Sequence, residues 1–86
     1  MSTLNETLTE RGSQYGDFGQ MAADAQAAKT IFVTEQMTPV QRECVEFICT
    51  KLARLANGNP NNRDSWVDIA GYAQLAVLEL DGGDLP

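Results

Sequence analysis

The chain has no histidine at all. That removes the usual general base, so a serine or cysteine hydrolase built on an imidazole is disfavoured. With only two cysteines and no imidazole, a tetrahedral zinc site is close to excluded as well. Cys44 and Cys49 are five positions apart, about 140° of net rotation on a helix, so a mutual disulfide or CxxC redox reading has no support. No apolar run approaches a membrane span, and the polar N-terminus does not read as a signal peptide. A reducing cytoplasm is the expected compartment. No repeat or low-complexity block appears, and no stretch alternates long enough to read as a strand.

Basic residues are also scarce. Six stand against twelve acidic ones, for a net charge of −6. Such a surface as a whole repels nucleic acid and anionic membrane, so neither is an expected partner. An anionic ligand would need a local basic pocket. An acidic chain of this size also suits a basic protein partner, including a host protein that normally holds DNA.

What is present is helical pattern. Eighty-six residues, 43% of them hydrophobic, allow one small domain, with residues 81–86 ("DGGDLP") as a flexible tail. "STLNETLTER" carries Leu4 and Leu8 one turn apart and reads as a short first helix stopped at Gly12. "SQYGDFG" is turn-like. An alanine-rich helix follows from about Phe18 to Val33, with Met21, Ala25, Ala28 and Phe32 in register. "TPVQ" supplies a cap at Thr38, a first-turn Pro39 and Gln41 to close a capping box, for a helix reaching about Asn57 with Gly58 as its stop. "GNPNNR" is a loop, after which Asn62 or Asp64 caps a last helix to about Leu80. The expected class is all-α, with three to four helices in a small bundle completed by oligomerisation.

On a helical wheel with Glu43 at 0°, Val45, Ile48, Cys49, Leu52, Leu55 and Ala56 share one apolar face between about 120° and 240°. Glu43, Glu46, Thr50, Arg54 and Asn57 lie opposite, bordered by Phe47 and Lys51. On the last helix Trp66, Ile69, Ala70, Ala73, Ala76, Val77 and Leu80 form the apolar face. Asp64, Asp68, Gly71, Leu75 and Glu79 lie on the other side, with Tyr72 at its margin. The ordinary reading makes Glu43 and Glu46 a solvated face and Asp64 a cap. It makes Trp66 and Cys49 core, Tyr72 a half-buried packing residue and Gly71 a permit for close helix approach. The sharper reading joins two carboxylate pairs, Glu43 with Glu46 and Asp64 with Asp68, around Mg²⁺. Lys51 and Arg54 then meet phosphate, and Tyr72, Trp66 or Tyr15 stacks a base.

Three stretches, "ERGSQYGDF", "KLARLANGNP" and "DSWVDIAGYAQLA", resemble in order and spacing a family of small tailed-phage proteins. An ExxE helix, a short loop and a helix with an acidic pair also resemble, more distantly, the all-α MazG-type nucleotide pyrophosphohydrolases. That resemblance implies a dimer or tetramer that uses Mg²⁺ to hydrolyse (d)NTPs, with Glu43 and Glu46 as the first acidic pair and Asp64 and Asp68 as the second. The chain departs from the pattern in two places. The second motif is DxxxD rather than ExxD, and Arg42 stands where the family has a further Glu. The resemblance therefore implies a helical, oligomeric fold more than it implies turnover.

The functions to be weighed are three. The first is a phage accessory protein in the host cytoplasm that binds a nucleotide or nucleotide-derived signal between subunits, by sequestration or Mg²⁺-dependent hydrolysis. The second is an acidic, non-enzymatic inhibitor of a host protein such as a defence nuclease. The third is an oligomeric scaffold.

Overall fold

The computed structural model describes residues 16–86. The expected first helix and Tyr15 lie outside the described residues. Among the described residues the fold is all-α, with three helices and no strand: α1 (Phe18–Phe32), α2 (Pro39–Asn57) and α3 (Arg63–Leu80).

Each helix begins at a residue whose side chain takes up an orphan backbone N–H. Asp17 accepts from the Gln20 amide at 3.0 Å to open α1. Thr38 and Gln41 close the expected capping box on α2, with reciprocal bonds of 3.1 and 3.0 Å. Asn62 accepts from the Ser65 amide at 3.0 Å, so it caps α3. Asp64 sits inside the first turn, where its charge favours the positive end of the helix dipole. Asp81–Gly83, which the sequence suggests as the start of a flexible tail, form a hydrogen-bonded stop. Gly82 takes φ +72°, its amide donates to the Glu79 carbonyl at 3.0 Å, and the Gly83 amide donates to the Leu78 carbonyl at 2.9 Å. This paired pattern is a Schellman motif.

α2 is the middle of the fold. It packs against α1 on one side and α3 on the other, and α1 and α3 do not touch. The start of α1 meets the end of α2, and the start of α2 meets the end of α3, where the Thr38 hydroxyl donates to Glu79 at 2.6 Å. Neighbours in the layer are therefore antiparallel, as their short connections require.

The middle position corrects the expected single apolar face of α2. Its buried residues are Cys44, Cys49, Ala53 and Leu55. On the wheel they fall in two arcs, Cys44 and Leu55 near 100–120° and Cys49 and Ala53 near 240–280°. The first arc faces α3, because Cys44 lies beside Ala76 and Glu79. The second faces α1, because Ala53 clusters with Met21 and Ala25. Leu52, between the arcs, stays 43% exposed. A helix flanked on two sides buries two stripes, and amphipathic reasoning expects one.

Trp66 is a second correction. The apolar face assigned to α3 made it core, yet it is 51% exposed, and its indole N–H donates to the Pro60 carbonyl at 2.8 Å. The residues of α3 that are buried or half-buried against the layer include Ser65, Asp68, Ile69, Tyr72, Leu75, Ala76 and Glu79. They centre roughly 120° away from Trp66. The adjoining arc, with Trp66, Ala73, Val77 and Leu80, is exposed. Gly71 is exposed too, and among the described residues a side chain there would meet nothing within 4 Å, so it serves no close packing between the described helices.

Two of the three resembling stretches meet where α1 begins and α2 ends. Gly16 has φ +75°, and a Cβ at that position would overlap the carbonyl of Asn57. The Asn57 side-chain amide donates to Asp24 at 2.8 Å and to the Ala53 carbonyl at 2.9 Å. Hydrogen bonds from Asn57 first, and then from Gln20, hold the Asp24 carboxyl below its ordinary pKa.

Candidate functional site

The polar arc of α2, near 0° on the wheel, is left uncovered between the two flanking helices. It forms the floor of a groove of about 320 Å³. α2 contributes Glu43, Glu46, Phe47, Thr50, Lys51 and Arg54, α1 contributes Lys29, and α3 contributes Tyr72. These residues share a site because α2 is central and its neighbours flank this arc without closing over it.

Three of the six basic residues of the chain, Lys29, Lys51 and Arg54, line this groove. Half the positive charge of an acidic protein is thus gathered in one place, beside the carboxylates of Glu43 and Glu46, and these cations are what the groove offers an anionic ligand. Lys51 Nζ lies 2.8 Å from Asp68 Oδ2, with the two side chains 18% and 45% exposed. A pair this accessible to water is worth at most about 1 kcal/mol, so an incoming phosphate can compete for the ammonium. Phe47 and Tyr72 stack with centroids 4.6 Å apart and planes 2° from parallel, forming an aromatic edge between α2 and α3. Thr50 donates its hydroxyl to the Glu46 carbonyl at 3.3 Å.

Of the sequence-derived ligand residues, Lys51, Arg54 and Tyr72 come together here. Trp66 is not in the groove, and Tyr15 lies outside the described residues. Of the four carboxylates, Glu43 and Glu46 line the groove and Asp64 does not. Asp68 stands at its border, paired with Lys51 rather than facing the two glutamates. Among the described residues no three His, Cys, Asp or Glu side chains come close enough to hold a metal ion. The four-carboxylate Mg²⁺ cage implied by the MazG-type resemblance is therefore not formed within one chain. The register of α3 against α2 presents Tyr72, rather than both aspartates, to the groove.

Lys29, Phe47 and Thr50 escaped the sequence reading as site residues. Phe47 left a signal, an aromatic at about 40° on an otherwise polar arc. Lys29 left none, because only the packing of α1 on α2 carries it to the groove.

Cys44 and Cys49 are free and buried. Burial pushes both thiols above the ordinary thiol pKa. Glu79 and Glu43 add to this at Cys44, and Glu46 adds to it at Cys49, where Lys29 opposes. A protonated, buried thiol is not an activated nucleophile.

Among the described residues the fold and groove define a small all-α protein, a three-helix layer with a mixed-charge groove edged by stacked aromatics on one face. No helix among the described residues is long and apolar enough to cross a membrane. Residues 1–78 match the model of the family described as a domain of unknown function, DUF6378, and the chain belongs to that family. No curated protein and no solved structure matches it.

Proposed function

We propose that the protein binds a nucleotide or nucleotide-derived signal in the groove over α2 and acts by holding that ligand. The observation that carries this reading is the meeting of Lys29, Lys51 and Arg54 with the Phe47–Tyr72 stack around one groove. Phosphate calls for the cations, and an aromatic base calls for a ring surface. The volume lies at the lower end of the range for small-molecule sites. The resemblance to small tailed-phage proteins fits an accessory protein that withholds such a signal inside a host cell. The MazG-type resemblance fits a nucleotide ligand. Hydrolysis by the family's four-carboxylate route is not part of this reading, because Asp64 and Asp68 do not join Glu43 and Glu46.

Isothermal titration of the full chain against dNTPs and cyclic nucleotides, with and without Mg²⁺, tests the reading. At least one ligand is expected to bind, and Arg54→Ala is expected to weaken it by about tenfold to a hundredfold, as loss of a charged hydrogen bond does. No heat with any ligand under either condition would sink the proposal.

The exposed arc of α3 favours a further statement about assembly. Trp66 (51% exposed), Val77 (45%) and Leu80 (72%) lie together on the side away from the polar groove. Leu52 of α2 (43%) is exposed on that side as well. A run of large apolar side chains on a small helical layer marks an association surface. We infer that a second copy of the chain covers it. Light scattering after size exclusion is expected to give a dimer or higher oligomer, and Leu80→Asp is expected to shift it toward monomer. A monomer at tens of micromolar wild-type protein would exclude the inference.

A further inference from the structure

The polar groove has a neighbour. On the far side of the Phe47–Tyr72 stack lies a second groove of about 410 Å³, walled mainly by Pro39, Val40, Cys44, Leu75 and the C-terminal Leu85 and Pro86. Three residues belong to both grooves: Glu43, Phe47 and Tyr72. Glu43 is the one charged side chain of the second groove, which is otherwise almost wholly apolar.

The position of the tail follows from local structure. The Schellman stop at Gly82 and Gly83 ends α3 and redirects the chain, and Leu85 and Pro86 then line the groove beside the first turn of α2. Leu85 remains 41% exposed, so it forms a wall rather than a plug.

One groove thus offers cations, the other offers an apolar slot, and a ridge of two stacked rings joins them. Resting on the nucleotide reading above, we propose that the two grooves form one composite site with a fixed polarity. The phosphates of the ligand lie among Lys29, Lys51 and Arg54, and its base lies in the apolar groove. The Leu85–Pro86 tail is the wall that makes the site prefer a nucleotide to bare phosphate. Glu43 stands at the junction, where its carboxylate can accept a hydrogen bond from an amino group of a base or from a ribose hydroxyl.

The division of labour is testable because its halves are chemically separable. Titrations of dATP and of inorganic tripolyphosphate are made into the full-length chain and into Leu85→Ser. Leu85 is partly exposed, and circular dichroism verifies that the variant keeps its helices. The wild type is expected to bind dATP about tenfold more tightly than tripolyphosphate, the scale of one stacked base. Leu85→Ser is expected to remove most of that preference and to leave tripolyphosphate affinity unchanged. Equal affinities in the wild type, or a dATP preference that survives Leu85→Ser, would overturn the composite site while leaving an anion site over α2. Failure of both ligands to bind would overturn the composite site as well, and the nucleotide reading would fall with it if the wider panel of dNTPs and cyclic nucleotides also gave no heat. Loss of tripolyphosphate binding in Leu85→Ser would show that the tail supports the whole groove rather than a base subsite, and would also overturn the proposal.

Discussion

Gly16→Ala is expected to cost about 3 kcal/mol or more of folding stability. Two effects combine. An L-residue held at φ +75° is strained by roughly 1–2 kcal/mol. The new Cβ also falls on the Asn57 carbonyl, part of the α2 backbone, which cannot swing aside as a flexible side chain would. Relief requires α1 to draw away from α2, which breaks the Asn57–Asp24 hydrogen bond and loosens the packing of Met21 and Ala25. Gly82 provides an internal control. Its φ of +72° is nearly the same, but a Cβ there meets nothing within 4 Å. Gly82→Ala should therefore show the backbone strain alone, about 1–2 kcal/mol. Urea denaturation of both variants separates the terms. Equal losses would mean that Gly16 does not hold the junction.

Met21→Ala is expected to cost about 2–4 kcal/mol, a large share of the roughly 4–13 kcal/mol typical of a domain this size. The buried cluster between α1 and α2 consists of Met21, Ala25 and Ala53, so Met21 is its single large side chain. It is 6% exposed, and its removal leaves two alanines that cannot fill the space. Met21→Leu conserves volume and should cost less than about 1.5 kcal/mol. The effect should reach the groove as well, because Lys29 arrives there only through the docking of α1. Under conditions where Met21→Ala remains folded, nucleotide affinity should fall although residue 21 lines no part of the site. A loss below about 1 kcal/mol with unchanged binding would show that α1 is held by something other than this cluster.

The helices were legible because their boundaries are written in local chemistry. Asp17, Thr38 with Gln41, and Asn62 each hydrogen-bond an amide within three residues. Capping of this kind does not depend on the rest of the fold. Alanine content, Pro39 at the first turn and the glycines near the helix ends act over the same short range. The site was legible in part for a related reason. Glu43 with Glu46, and Lys51 with Arg54, each sit three positions apart on one helix, so the closeness of each pair follows from helical geometry alone.

What depended on a second helix was not legible. Spacing pairs Asp68 with Asp64, and only an assumed packing and the MazG-type resemblance join them to the two glutamates, whereas the packed chain pairs Asp68 with Lys51. Trp66 looked like core because large aromatics bury well. Among the described helices α3 packs only against α2, and Trp66 lies off that face, 51% exposed. Phe47 bordered a wheel, and only the register of α3 against α2 makes it half of an aromatic stack. The tail looked polar and featureless, yet a left-handed glycine turns its Leu and Pro onto a groove.

Local chemistry along the chain suffices for an all-α class, the start and end of each described helix, an excess of acidic residues and one helix with a charged face. The tertiary structure alone decided which helix is central, which face of α3 meets it, and therefore which charges share a groove. The physical reason is one of range. Caps, propensities and same-helix spacings are set by atoms a few bonds or one turn apart. The order and register of packed helices are set by how side chains from distant parts of the chain interlock, and here by one glycine that lets the start of α1 close against the last carbonyl of α2.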